Sequence, residues 1–174
     1  MIEDGREGCM MWDDFGVALR SVVMDFPPRT FLVISEQEHP ELFVQFAGLD
    51  ERSNSDKIIA ELASRKNGDI FTPEQVSLLE RWGFEELPEK YVRLWHRYLP
   101  WPTPSAVVAD TVNACILRLR DIGGIPDPSR LQYRAWRDGE FPTPDAWWEL
   151  DPGERSVSFP SLGIMQDPSD PSSW

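Results

Sequence analysis

Between Trp12 and Phe26 the apolar residues fall three and four apart, at Trp12, Phe15, Leu19, Val22, Val23 and Phe26. Asp13, Asp14, Arg20, Ser21 and Asp25 take the other side. This spacing predicts a helix over residues 12–25 with one buried stripe. Pro27 and Pro28 stop it, because proline cannot donate to the helical ladder. The period then shortens. Residues 30–35 and 42–47 are rich in β-branched and aromatic side chains, and the turn between them holds Pro40. Together they predict a hairpin. A polar stretch, residues 50–56, leads into residues 57–64, whose Ala60, Glu61 and Leu62 favour helix on propensity. Helix caps are poor there and Asn67-Gly68-Asp69 reads as a turn, so the segment is read as a third strand.

Thr72-Pro73-Glu74-Gln75 is a helix start: a capping threonine, proline at the first helical position, and glutamine closing a capping box. The helix is expected to run to Trp82 with Val76, Leu79 and Trp82 inward, and Gly83 is placed to end it. Residues 91–98 predict a fourth strand. Pro100, Pro102 and Pro104 stiffen the connection that follows, and Thr103-Pro104 repeats the Thr-Pro helix start. Val108, Val112, Cys115, Ile116, Leu119 and Ile122 make the stripe of a third helix, ended by Gly123-Gly124. Residues 131–136 predict a last strand. The pattern gives an α+β fold, an antiparallel sheet flanked by helices in the order α-β-β-β-α-β-α-β.

Composition changes near Arg137. The last segment is rich in proline and acid, yet it carries Phe141, Trp147, Trp148, Phe159, Ile164, Met165 and Trp174. Residues 1–137 are therefore read as one α+β domain and residues 138–174 as a Pro-rich acidic and aromatic tail. That tail either docks along the body in extended form, covering the binding surface in cis, or stays disordered until a partner arrives.

The 17 basic and 30 acidic residues give a net charge of −13. Nucleic-acid binding needs clustered Lys and Arg, and anionic membranes attract the same groups, so neither partner is expected. The acidic opening residues lack the apolar run of a signal peptide, and no apolar run reaches the ~20 residues that span a bilayer. Cys9 and Cys115 lie far apart, Cys115 on an apolar helical stripe, which fits a reduced thiol and a cytoplasmic setting.

The chemistry-bearing residues are sparse. There is no G-x-S-x-G, neither cysteine has a neighbouring base, and His39 and His96 sit in a turn and a strand. Two distant Cys and two distant His do not make a zinc site. The acidic turn at 50–56 lacks the glycine and closing glutamate of a calcium loop. Gly123-Gly124 lies at the wrong end of its helix to cradle phosphate. No catalytic residue, metal or cofactor is expected, although an enzyme of unfamiliar type stays open.

The ordered set of Phe43-Val44-Gln45-Phe46-Ala47, Ala60-Glu61-Leu62, Thr72-Pro73-Glu74-Gln75, Leu78-Leu79-Glu80-Arg81-Trp82-Gly83-Phe84, Pro88, Pro128 and Leu131-Gln132-Tyr133-Arg134-Ala135-Trp136 resembles a known family. It is similar to actinobacterial domains related to the type III secretion chaperones and the YbjN family, over roughly residues 10–137. Trp82-Gly83-Phe84 stands where those domains would have Leu-Gly-Trp. The resemblance implies binding of a protein or extended peptide segment without ATP, no catalytic residues, and a homodimer. Phe43, Gln45, Trp95, Trp101 and Trp136 are the candidate contact residues. Trp95 shares its strand face with Arg93 and Arg97, so it is read either as part of a stacked Arg–Trp interface or as packing. The competing function is an acidic immunity or inhibitor protein that neutralises a basic toxin by charge.

Overall fold

The computed structural model describes residues 10–49, 56–63, 71–88, 93–140, 142, 144–145, 148 and 150–169. The readings made on Cys9, on the polar stretch 50–55, on Asn67-Gly68-Asp69, and on Tyr91, Phe141, Trp147 and Trp174 lie outside these residues.

The first helix, α1, spans Trp12–Met24 and buries Trp12, Phe15, Leu19, Val22 and Val23, the stripe set by its spacing. Strands β1 (Thr30–Glu36) and β2 (Phe43–Gly48) pair antiparallel, and β3 (Asp56–Ala63) adds to β2. The strand reading of the Ala-Glu-Leu segment holds because tertiary pairing on both sides overrides a weak local propensity. α2 (Pro73–Arg81) begins with the full capping box: the Thr72 hydroxyl accepts from the Gln75 amide, and the Gln75 side chain accepts from the Thr72 amide. Gly83, at φ 75°, turns the chain out of that helix, as a left-handed residue does without penalty only when it lacks Cβ.

β4 (Glu85–Pro88) and β5 (Arg93–Pro100) follow. β4 is a strand that residue patterning did not predict, since four residues ending in proline carry no alternation to read. α3 (Ser105–Ile116) continues as a π-helical stretch, Leu117–Ile122. Its start differs from the expected Thr-Pro cap. Pro104 itself is the capping position, and the Thr103 hydroxyl instead donates to the Pro100 carbonyl at 2.7 Å, closing the preceding turn. Within the π-helical stretch Arg118 is fully buried and its Nε donates to the carbonyl of Ala63, tying the helix to the end of β3. Burial pushes the Cys115 thiol far above its ordinary range, so it remains a protonated packing group.

β6 (Leu131–Asp138) pairs antiparallel with β1 along the full length of that strand. Two short strands come after it, β7 (Gly153–Glu154) and β8 (Met165–Gln166), and both pair with β6, the latter in parallel. The sheet order is β4-β5-β3-β2-β1-β6-β7, with β8 also on β6. A single apolar cluster joins α1, α2 and α3 to one face of this sheet through Leu32, Ile34, Val44, Phe46, Leu62 and Tyr133.

The β1–β2 corner is held by Glu36, which is buried. Burial alone would raise its carboxyl, but hydrogen bonds from Arg130 and from the amides of His39 and Glu38 outweigh that and lower it. At the other end of the hairpin, Gly48 lies against the turn that leaves α1. A Cβ at Gly48 would stand 2.3 Å from the Pro27 carbonyl oxygen, a backbone atom that cannot swing aside. Gly48→Ala should therefore cost about 1–3 kcal/mol in urea unfolding; an unchanged midpoint would show that the α1–β1 turn moves freely.

Candidate functional site

Side chains alternate across a strand, so the register assigns every residue to one of two faces. Leu32 stands opposite Phe46 and Ala135, and Ile34 opposite Val44 and Tyr133, all on the face under the helices. The other face carries Phe31, Val33 and Ser35 of β1, and Phe43, Gln45 and Ala47 of β2. Ile59 and Glu61 of β3, Leu94, His96 and Tyr98 of β5, and Arg134 and Trp136 of β6 continue it. Its larger apolar residues are half-buried or exposed, and none of them belongs to the apolar cluster beneath the helices. Among the described residues this second face is free of helix.

The face has three zones. At the β1–β6 end Phe31 and Trp136 are cross-strand neighbours, stacked with centroids 5.0 Å apart and planes 8° from parallel. In the middle the Gln45 amide donates to the Glu61 carboxylate at 2.9 Å across β2 and β3. At the β5 end His96 and Tyr98 meet edge to face at 5.5 Å. The His96 Nδ1 lies 3.1 Å from the Glu85 carbonyl of β4. Flat aromatic surface alternating with a few polar groups is suited to holding side chains of an extended chain laid across it.

Three of the residues singled out from the sequence, Phe43, Gln45 and Trp136, share this face. Trp95 does not: it stands opposite Leu62 on the face under the helices, 5% exposed, with its ring 5.9 Å from Phe71. Arg97, on the same side, points its guanidinium at Thr111 and the Val107 carbonyl of α3. Trp101 follows the end of β5 and is 47% exposed, beyond the sheet proper. Phe31, Val33, Ile59, His96 and Tyr98 were not singled out. Their signal was the alternation within β1, β3 and β5, and it was masked because both faces of those strands carry large apolar or aromatic residues, Ile58 beside Ile59 among them.

The two sheet edges differ. β4 has β5 on one side only among the described residues. It is four residues long, carries exposed Glu85 and Glu86, and ends in Pro88. Short length, charge and proline are the features that stop another strand from adding. The β6 edge is occupied by residues 151–169. The Val157 amide donates to the Ala135 carbonyl at 2.9 Å and the Asp167 amide to the Tyr133 carbonyl at 2.8 Å. Between these pairings the segment leaves the edge and sends Phe159 and Leu162 inward. Phe159 stacks on Phe26, just past the end of α1, centroids 6.1 Å apart, and Leu162 is fully buried.

The family model described as T3SS (YopN, CesT) and YbjN peptide-binding chaperone 3 matches residues 5–137. The chain belongs to this family. It is a chaperone-like, peptide-binding domain, and its α+β architecture with an open antiparallel sheet agrees with that membership. No curated protein and no solved structure matches it. The match ends at residue 137, within β6, so β7, β8 and the chain between them lie beyond the matched residues. No described helix is long and apolar enough to cross a membrane, and no three described His, Cys, Asp or Glu residues are placed to share a metal ion.

The added segment is clamped by charge. Asp151 takes hydrogen bonds from Arg137 and Arg29, and Asp167 pairs with Arg134 at 2.5 Å. The Arg137 hydrogen bonds and the Gly153 amide hold the Asp151 carboxyl at about 2, below its ordinary 3.8. A depressed carboxyl stabilises the docked segment fully above 3.8, and that contribution is lost as pH falls towards and through about 2. The Gly153 amide donates to Asp151 at 2.9 Å and should report it. Its NMR resonance should titrate with a midpoint near 2 and move back towards 3.8 in Arg137→Gln. A midpoint already at 3.8 in the parent would show that the ion pair does not form in solution.

Proposed function

We propose that the chain is an ATP-independent, non-enzymatic adaptor that binds an extended protein segment across the helix-free face of its sheet. The observation that carries this reading is the face itself: Phe31, Phe43, Ile59, Tyr98 and Trp136 lie outside the apolar core while the family is one of peptide binders. Phe43, Gln45 and Trp136 are its proposed contact residues, with Trp101 at the rim. Side chains of the segment would lie against the aromatic patches, and the Gln45–Glu61 pair would orient polar groups in the middle.

The acidic inhibitor is the weaker alternative. A charge-driven inhibitor gathers its acids where it meets a basic partner. Across the central positions of β1, β2, β3, β5 and β6 on this face, Glu61 is the one carboxylate among the described residues, and Arg134 and His96 share the surface with it. The net charge of −13 is spread elsewhere.

Selection of a random displayed peptide library on the full chain should enrich segments with alternating apolar residues, in the absence of any nucleotide. Buried aromatic contacts of this kind are each worth on the order of 2 kcal/mol. Phe43→Ala with Trp136→Ala should weaken the enriched peptides by roughly a hundredfold or more without shifting the thermal midpoint by more than a few degrees. Affinity should change little with added salt. Unaltered binding by the double variant would remove the face from the site, and a steep fall of association rate with salt would favour the inhibitor reading instead.

A further inference from the structure

The β6 edge is built as a receiving groove, and its occupant comes from outside the matched family domain. Four arginines line or approach it in a chain whose acids outnumber its bases, 30 to 17. Arg29 and Arg137 hold Asp151, Arg137 also holds Glu154 at 3.0 Å, and Arg134 holds Asp167 and Ser169, while Arg130 is committed to Glu36 and Glu38 at the far end. Each of the three carboxylates that the segment 151–169 contains is thus met by an arginine of the body.

The apolar part of the groove is equally specific. Phe26, just past α1, and Tyr133 of β6 form its walls, and Phe159 lies between them, stacked on the first and edge-on to the second. The Tyr133 hydroxyl accepts from the Phe159 amide at 2.9 Å and donates to the Gln166 side chain at 3.0 Å, so it ties the anchor's own backbone to the returning stretch. Pro160–Leu162 forms a single 3-10 turn against α1 and drops Leu162 to full burial, and Gly163, at φ 66°, reverses the chain back to the edge. Backbone pairing at an open strand edge with alternate side chains in pockets is how an extended peptide is recognised by strand addition. The opposite edge, β4, is blunted against that mode.

We propose that the cleft between the β6 edge and α1 is a second peptide-binding site, closed in cis by residues 151–169. Its external ligand is an acidic protein segment whose aromatic–Pro–x–aliphatic core forms a turn between two edge-pairing stretches that carry carboxylates. The inference rests on the reading of this chain as a peptide binder and assigns a second location and a ligand chemistry to it. Release of the cis segment exposes Phe26, Tyr133 and the arginine row together, and a client of matching chemistry replaces the contacts that the segment made.

The test uses the full chain with a protease recognition sequence inserted between Pro144 and Asp145, both of which are exposed. After cleavage the probe is a fluorescent synthetic peptide with the sequence of residues 151–169, followed by anisotropy. The nicked protein should stay folded and bind the probe saturably, while the uncut protein should not. Peptides with Phe159→Ala and Leu162→Ala, or with Asp151→Asn and Asp167→Asn, should each bind about tenfold more weakly or worse, the second pair with a shallower salt dependence. An unrelated peptide that keeps only the acidic flanks and the aromatic–Pro–x–aliphatic core should compete with the probe.

Unfolding of the nicked chain without any probe uptake would make the segment an integral part of the core and overturn the proposal. Failure of the unrelated competitor would overturn the ligand assignment, and tail exchange between two uncut copies, seen as a dimer, would give the groove to a second copy instead. Library peptides that bind uncut and nicked protein equally, without competition from the probe, would leave the helix-free face as the peptide site and eliminate the groove. If neither form binds library peptides or probe, the peptide-binding reading itself fails.

Discussion

The pairing of β1 with β2 on one side and β6 on the other is the constraint on which the remaining structure depends. β1 is contacted along its length by a neighbour from its own hairpin and by a strand about a hundred positions later in the chain. That register places Leu32 and Ile34 beneath the helices and Phe31 and Val33 on the open side. A slip of one residue would exchange the two sets and put Gln45 in the core, where its amide would lose both water and its Glu61 partner. The helix-covered core and the open aromatic face are therefore one decision of register. Glu36 marks its end point: a carboxylate buried at the corner tolerates only the arrangement in which Arg130 and two backbone amides reach it.

Much of this was legible from residue spacing because most elements carry one clear apolar stripe. α1 and the capping box of α2 are read directly from residue types at fixed offsets. β3 was legible only through the absence of caps, as its own side chains lean towards helix. β4 was not legible, since Glu85-Glu86-Leu87-Pro88 is charged and short, and these are the same properties that keep the edge from aggregating. β7 and β8 are two-residue pairings whose existence depends wholly on the β6 backbone beside them. No local pattern could announce them, although the unusual load of large apolar residues beyond Arg137 did signal that the segment is not a plain spacer.

The candidate surface was legible in part, for a similar reason. Phe43, Gln45 and Trp136 were picked out by residue type, and the β1 pairings with β2 and β6 put them on one face; alternation alone does not, since Phe43 adjoins Val44 and Trp136 adjoins the small core residue Ala135. In β5 the run Leu94-Trp95-His96-Arg97-Tyr98 has bulky groups at every position, so composition does not say which side meets the helices. The pairing of Trp95 with Leu62 decides it, and that is a fact of tertiary structure. Arg97 follows Trp95 to the covered side, where burial lowers its pKa and Asp110 partly restores it.

Charge gives the last step. In a chain of net charge −13 whose cations are nearly all arginine, Arg29, Arg134 and Arg137 stand together at the β6 edge. Solubility alone would not require this, because spreading the same bases among the surface acids would serve equally well. Gathered, they select for an acidic chain at that edge, and residues 151–169 supply one. The aromatic open face and the arginine-lined edge meet on β6, where Trp136 and Arg134 project to the same side and are two residues apart. Tyr133, a wall of the groove, faces the covered side of that strand and Trp136 the open side, so β6 serves both surfaces.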